Sequence, residues 1–400
     1  MESLRQLFKI GHGPSSSHTM GPEAACKYIL NKYENIGKIK VTLFGSLALT
    51  GKGHLTDYII LRTLKNVPTE LVFDYYTQTK HPNTLVFEVY GKDEQLIDTV
   101  TVYSIGGGSI EIEGVKANEV AEDVYPFKSF DEIKNYCKEN NMTLAELVYK
   151  FDHKDIKDYL LQVRYVMEGA ILNGLSKEGE LPGGLHTLRK AKQLFSSKYE
   201  GEKANIEELR TVSSYAYAVS EENASGGLIV TAPTCGASGV LPAVLAYEKL
   251  SKDLTNDVLI DALAVAGIIG NVIKTNASIS GAFAGCQSEV GSACSMAAAA
   301  VAFINGQSID EIEYAAEIAL EHHLGLTCDP VKGYVQIPCI ERNAMSCKRA
   351  IDCAQFALLT DGNHYIKLDD AIQTMVETGK DLHYKYRETS EGGLAKINKK

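Results

Sequence analysis

The chain has 400 residues and a formal net charge of −11 at pH 7, which is enough length for two domains that each bury their own core. Nucleic acids and anionic membranes attract clustered positive charge, so an acidic chain without a Lys/Arg run is expected to bind neither. The first residues lack the charged start and apolar run of a signal peptide, and we therefore expect a cytoplasmic protein with a small-molecule partner.

The first third of the chain mixes helical and strand-like periodicity. Residues 22–32 and 55–64 predict helices, whereas "IKVTLFGS", "TLVFEVY" and "LIDTVTVYSI" predict strands. These elements indicate an α+β domain with a small sheet over residues 1–126.

From about residue 127 the strand signals nearly vanish, so residues 127–400 are expected to form a larger all-α domain. The proposed boundary is marked by Pro126, just before the first of three capping boxes, the pattern that opens a helix. The boxes are Ser129-x-x-Glu132, Thr143-x-x-Glu146 and Ser308-x-x-Glu311. The uncharged run from Val290 to Ile309 contains four consecutive alanines together with Gly, Ser, Cys, Asn and Gln. It therefore predicts a buried, tightly packed helix and not a membrane span.

Nine cysteines occur, and six of them fall between residues 286 and 353. On helix-like segments, Cys294, Cys347 and Cys353 are expected to pack as small apolar residues, as is Cys235. Three others lie in stretches punctuated by Gly or Pro: Cys286, Cys328 and Cys339. Three thiolates from separate segments suit zinc or an iron–sulfur cluster, and three cysteines would leave one iron of a four-iron cluster open for substrate. Simple packing of these thiols is the alternative.

Two polar segments are candidates for a substrate site. "GPSSSHTMGPEAA" places four hydroxyls and an imidazole before a proline suited to a first helical turn, where backbone N–H groups favour an anion such as a carboxylate; the residues are Ser15, Ser16, Ser17, His18 and Thr19. "TGKGHLTD" offers His54 as a proton acceptor, with Thr56 and Asp57 beside it. The alternatives are an ordinary helix cap for the first segment and a surface histidine for the second.

Further neutral groups that suit a small polar acid are Thr234, Asn276 and Ser278, although helix caps and turns would use the same residue types. The sequence contains no G-x-S-x-G elbow, no P-loop and no H-E-x-x-H helix. Hydrolase, nucleotide-binding and metalloprotease functions are therefore disfavoured.

Taken together, several long motifs resemble the iron–sulfur-dependent L-serine dehydratases of bacteria. They are "GPSSSHTMGPEAA", "GKGHLTD", "SIGGGSI", "NASISGAFAGCQSEVGSACSMAAAA", "GLTCDPVKGYVQIPCIERNA" and "KYRETSEGGLA". The likeness runs from about Leu7 to Ala395 and implies that the β domain and the all-α catalytic domain of that family are fused in one chain.

The resemblance implies a [4Fe–4S] cluster held by Cys286, Cys328 and Cys339, which acts as a Lewis acid in converting L-serine to pyruvate and ammonia. It also implies that His54 is the base and that Ser15, Ser16, Ser17, His18, Thr56 and Asp57 face the substrate or the cluster, with His18 as a second catalytic residue. A homodimer is expected from the same likeness. Some single-chain members end in a cysteine that reaches the open iron. No cysteine follows Cys353 here, so we expect the resting ligand of that iron to be water or another small ligand.

Three rival functions remain open at this point. A related cluster-dependent lyase would act on L-cysteine or another β-substituted amino acid, and a pyridoxal phosphate enzyme would use a lysine such as Lys274. A serine-sensing iron–sulfur protein would bind serine without turnover. Selectivity against threonine and a separate allosteric serine site are not predictable from the sequence.

Overall fold

A computed structural model describes residues 1–115 and 123–397. The predicted fold class is confirmed, because a small sheet region within residues 1–112 is followed by a mostly helical part. The predicted boundary at residue 126 stays a prediction.

The sheet region contains one five-stranded sheet with the order β3-β2-β4-β5-β6. Only the β2–β3 pair is parallel, and the other neighbours are antiparallel. Buried residues alternate along β2 and β4, as the sequence pattern predicts, so one face of the sheet packs against three helices. The strands are β2 (Ile36–Phe44), β3 (Thr69–Asp74), β4 (Thr84–Gly91), β5 (Leu96–Gly106) and β6 (Ser109–Ile112), and the helices are α1 (Gly21–Lys32), α2 (Gly45–Thr50) and α3 (Thr56–Thr63).

The helical part has its own core, centred on one helix that is buried along nearly its whole length, α12. The four alanines from Ala297 to Ala300 are fully buried there, and such small side chains allow neighbouring helices to approach closely. The predicted capping boxes at Thr143 and Ser308 are both formed. The helices are α4 (Phe130–Glu139), α5 (Leu144–Phe151), α6 (Ile156–Ser176), α7 (Ala191–Ser196), α8 (Ala204–Ala224), α9 (Val240–Lys252), α10 (Asn256–Asn276), α11 (Gly281–Ala284), α12 (Ser292–Ile304), α13 (Ile309–Glu321), α14 (Cys339–Leu358) and α15 (Leu368–Asp381).

The first residues of the chain pack into this helical core and not into the sheet region. Leu4, Leu7 and Phe8 are fully buried among the helices. Strand β1 (Ile10–His12) then pairs antiparallel with β7 (Leu228–Val230). The polypeptide thus begins in the helical part, leaves it to form the sheet and returns.

One helix in the described residues, α10, is long and apolar enough to cross a membrane by length and composition. Its most apolar window is 78% buried inside the protein. It packs against α12 and α5, as a core helix does.

Candidate active site

The predicted cysteines and the predicted histidine base meet around one small cavity. Its walls come from the segment before α1, the turn before α3, the loop that precedes α12, the loop that leads into α14 and a segment near the C-terminus. The lining residues are Pro14, Ser15, Ser16, His54, Gly236, Cys286, Glu289, Cys328, Pro330, Val335, Cys339 and Glu388. A larger, mostly apolar groove involves α6, α8 and α9, but it contains none of the predicted site residues.

Three thiols from three separate segments form one side of the cavity. Cys286 precedes a single π-helical turn (Gln287–Gly291), Cys328 lies in a loop, and Cys339 is the first residue of α14. Each is less than 10% exposed, and none is in a disulfide. One ligand atom each from Cys286, Glu289 and Cys328 lie within 4.8 Å of one another. Cys339 lines the same cavity but is not part of that group. The buried thiols are soft donors, which fit a thiolate-bound metal or an iron–sulfur cluster.

A half-buried arginine joins the loop that carries Cys328 to the helix that begins at Cys339. Arg342 lies on α14 one turn after Cys339, and its guanidinium donates to the carbonyl of Thr327 and to Asp329 Oδ1, the latter at 3.1 Å. Hydrogen bonding from Cys328 and the nearby positive charge of Arg342 lower the pKa of Cys286, although burial opposes this. Among the three thiols these surroundings favour the thiolate at Cys286, whereas the bond to Cys286 and burial raise the pKa of Cys328, and burial raises that of Cys339.

His54 presents a free nitrogen to the cavity. Its Nδ1 lies 3.0 Å from the carbonyl oxygen of Thr50, and because a carbonyl can only accept, Nδ1 is assigned the proton. Nε2 then carries the lone pair, is buried, and has no hydrogen-bond partner among the described residues. Burial lowers the pKa of His54 to about 4, so the imidazole is neutral near pH 7 and can accept a proton.

His18, the second predicted catalytic residue, lies behind His54 and does not line the cavity. Its ring centroid is 4.5 Å from that of His54. Both of its ring nitrogens have hydroxyl partners, Ser17 Oγ at 2.8 Å and Ser46 Oγ at 3.0 Å. This arrangement supports the His54 ring and leaves neither nitrogen of His18 free for substrate.

Two of the predicted threonines join the segments that carry the histidines. Thr19 Oγ1 donates to the carbonyl of His54 at 2.8 Å, and Thr56 Oγ1 donates to the carbonyl of His18 at 2.6 Å. These reciprocal bonds fix the positions of the two segments relative to each other. Thr19 and Thr56 are thus in the scaffold of the cavity and not in its wall.

The remaining predicted substrate-binding residues are divided between this cavity and other places. Ser15 and Ser16 line the cavity, and Thr234 is buried near Glu289, with a hydroxyl that has no hydrogen-bond partner among the described residues. Away from the cavity, Asp57 accepts a bond from the next backbone N–H, Asn276 donates to the carbonyls of Lys128 and Val272, and Ser278 lines a separate cleft. Sequence motifs alone did not distinguish these positions, because Ser, Thr and Asn serve equally well as caps.

Two carboxylates that line the cavity were not predicted. Glu289 is the only charged residue between Lys274 and Asp310, a signal that could have identified it. Burial raises its pKa to about 7. Glu388 lies in a stretch crowded with charges, "KYRETSE", so no local signal distinguished it.

Comparisons with known proteins show sequence similarity along almost the whole chain. The sequence model described as serine dehydratase alpha chain matches residues 97–395, and the one described as serine dehydratase beta chain matches residues 3–72. The chain is 41% identical to L-serine dehydratase 1 of Escherichia coli (strain K12) over 451 aligned positions, which cover 99% of each chain. It is 39% identical to the L-serine dehydratases of Haemophilus influenzae and of Streptomyces coelicolor, with 99% and 98% of each chain covered.

Proposed function

Because the chain belongs to the serine dehydratase family, with sequences of its alpha and beta chains joined in one polypeptide, we propose that it converts L-serine to pyruvate and ammonia. We further propose that a [4Fe–4S] cluster bound by Cys286, Cys328 and Cys339 is its cofactor. The observation that carries the proposal is the placement of three buried thiols and the unpartnered Nε2 of His54 around one cavity.

The donor set suits a cluster in which three irons have a cysteine ligand and the fourth has none. Such a cluster supplies a Lewis acid that makes the serine hydroxyl a better leaving group. Arg342 would support a cluster there, because its bonds to Thr327 and Asp329 join the Cys328 loop to α14. Ser15 and Ser16 are the hydroxyl residues among those that line the cavity, and they are proposed to bind the substrate.

His54 is the proposed base. Nε2 accepts the Cα proton of L-serine as the Cβ–O bond breaks and the β-hydroxyl departs with the electron pair of that bond. The proton then passes from Nε2 to the hydroxide, which leaves as water and restores the neutral imidazole. The product, 2-aminoacrylate, tautomerises to the imine, and addition of water with loss of ammonia gives pyruvate. The bond from Nδ1 to the carbonyl of Thr50 fixes the ring and its tautomer, and the ring of His18 packs against it.

The chain would be purified and reconstituted without oxygen, and pyruvate release from L-serine would be measured together with iron and sulfide content. Cys339→Ser should lose both turnover and cluster iron. Cys353→Ser is the matched control, because Cys353 is also buried on α14 but does not line the cavity. Equal iron and equal activity in parent and Cys339→Ser would refute the cluster assignment. Zinc found in place of iron would instead assign the thiols to a zinc site.

The same protein distinguishes the rival functions. Sulfide released from L-cysteine faster than pyruvate from L-serine would indicate the related lyase, and serine binding without pyruvate would indicate a sensor. Lys274 is less suited to a Schiff base, because its Nζ is 2.6 Å from Glu2 Oε2 and 3.1 Å from the carbonyl of Gln6. The predicted homodimer stays a prediction that the mass of the protein in solution would test.

A further inference from the structure

Backbone pairing from far along the chain carries Glu388 into the cavity. The N–H of Cys328 donates to the carbonyl of Tyr386, and the N–H of Glu388 donates to the carbonyl of Cys328, both at 2.8 Å. Glu388 itself has a φ of 58°, which is uncommon for a residue other than glycine. The residue is only 8% exposed and lines the same cavity as His54. The position of this carboxylate is therefore determined by the fold.

The carboxylate of Glu388 lacks a permanent cationic partner. Among residues 1–115 and 123–397, the one Lys, Arg or His nitrogen within 4.0 Å of it is Nε2 of His54, at 3.8 Å from Oε1. The contact with Thr50 assigns the proton to Nδ1 and the lone pair to Nε2, and burial, which lowers the pKa of His54, keeps the ring neutral. The guanidinium of Arg342 is engaged by Asp329. Without a counter-charge a buried carboxyl group favours its neutral form, whereas a ligand that brings a positive charge favours the carboxylate. The cavity is therefore suited to a cationic ligand beside Glu388.

The two acidic residues of the cavity differ in their surroundings. Glu289 lies among the thiols, with Oε2 4.0 Å from Cys328 Sγ. Glu388 instead faces the unpartnered nitrogen of His54. A ligand cation next to Glu388 would consequently lie on the side of the cavity where a proton can be accepted.

We propose that Glu388 binds the α-ammonium group of the substrate and thereby makes the cavity selective for α-amino acids. In an amino acid, the ammonium nitrogen and the Cα–H carbon are directly bonded, about 1.5 Å apart. An ammonium held by Glu388 thus places Cα beside Nε2 of His54 and leaves the β-hydroxyl to point toward the thiols. This inference rests on the proposed function, and it assigns the group that orients the substrate.

The test compares two ligands of the same shape that cannot be dehydrated. L-alanine has the α-ammonium group, and isobutyrate has a methyl group in its place. Binding of each to the reconstituted protein would be measured by calorimetry, so turnover is not needed. The parent should prefer L-alanine, and Glu388→Gln should weaken L-alanine roughly 30-fold or more while isobutyrate changes little.

Glu391→Gln is the matched control, because Glu391 lies in the same segment but is exposed. This variant should bind L-alanine and isobutyrate as the parent does. An equal loss for both ligands in Glu388→Gln would overturn the assignment. If that variant does not fold or does not retain its iron, the parent alone decides, since equal affinity for L-alanine and isobutyrate also overturns it. A parent without pyruvate formation but with the expected ligand preference would refute the proposed function and retain the ammonium site.

Discussion

Acidification should destabilise the protein through His54, and the effect can be calculated. Burial lowers the pKa of His54 from 6.5 to about 4, so the unfolded chain binds a proton there between these pH values and the folded chain does not. Stability therefore falls as pH decreases through 6.5 and approaches its full loss below pH 4. At about 1.4 kcal/mol per pH unit, the total is roughly 3 kcal/mol, of which about 2 kcal/mol is lost by pH 5.

The assay compares parent and His54→Asn by urea unfolding at pH 7.5 and pH 5. All other titrating groups are common to both proteins, so the difference between their pH dependences isolates His54. The parent should lose about 2 kcal/mol more than the variant on acidification. An equal loss in the two proteins would refute the assignment of His54 as a buried neutral imidazole.

The same property has a kinetic consequence. A base with a pKa of about 4 stays deprotonated across the neutral range, so kcat/KM of the parent should show no decline centred near pH 6.5. His54→Asn should reduce kcat by about 10²–10⁴-fold with unchanged iron content. If kcat/KM of the parent declined near pH 6.5 and that of His54→Asn did not, the result would contradict a buried His54 base.

Two further predictions concern the scaffold of the site. Thr56→Val removes the hydroxyl that donates to the carbonyl of His18, and should lower the free energy of unfolding by about 1–3 kcal/mol in chemical denaturation; no change would show that the bond is replaced by another donor. Gly281→Ala would place a Cβ 2.5 Å from Glu289 Oε2 and 3.1 Å from Cys328 Sγ, so iron per chain should fall. Gly169→Ala on α6 is the control, because a Cβ there meets nothing within 4 Å, and it should retain full iron. Equal iron in both glycine variants would contradict the packing around the thiols.

Local sequence signals predicted the helices and strands well because the interactions that specify them are local. The box at Thr143 closes between residues three positions apart, with Glu146 as its partner. Alternation along β2 records which side chains face the helices. The path of the first residues was not predictable in this way, since Leu4 and Phe8 are buried by helices far along the chain.

The candidate site was predicted in part. Cys286, Cys328, Cys339 and His54, singled out by the Gly and Pro around them and by family resemblance, do line one cavity. Asn276 was predicted with them on residue type alone, but its side-chain amide is bonded to backbone carbonyls elsewhere.

By itself, the sequence determined the order of elements, the three cysteines of the cavity and a histidine suited to proton transfer, because each is encoded in a short contiguous motif. Only the tertiary structure decided that the His54 nitrogen is free while those of His18 are not, and that Glu388 faces it. Those outcomes depend on backbone bonds between distant segments, such as that from Glu388 to Cys328. Such bonds form only when the whole chain folds, so no local pattern of residue types records them.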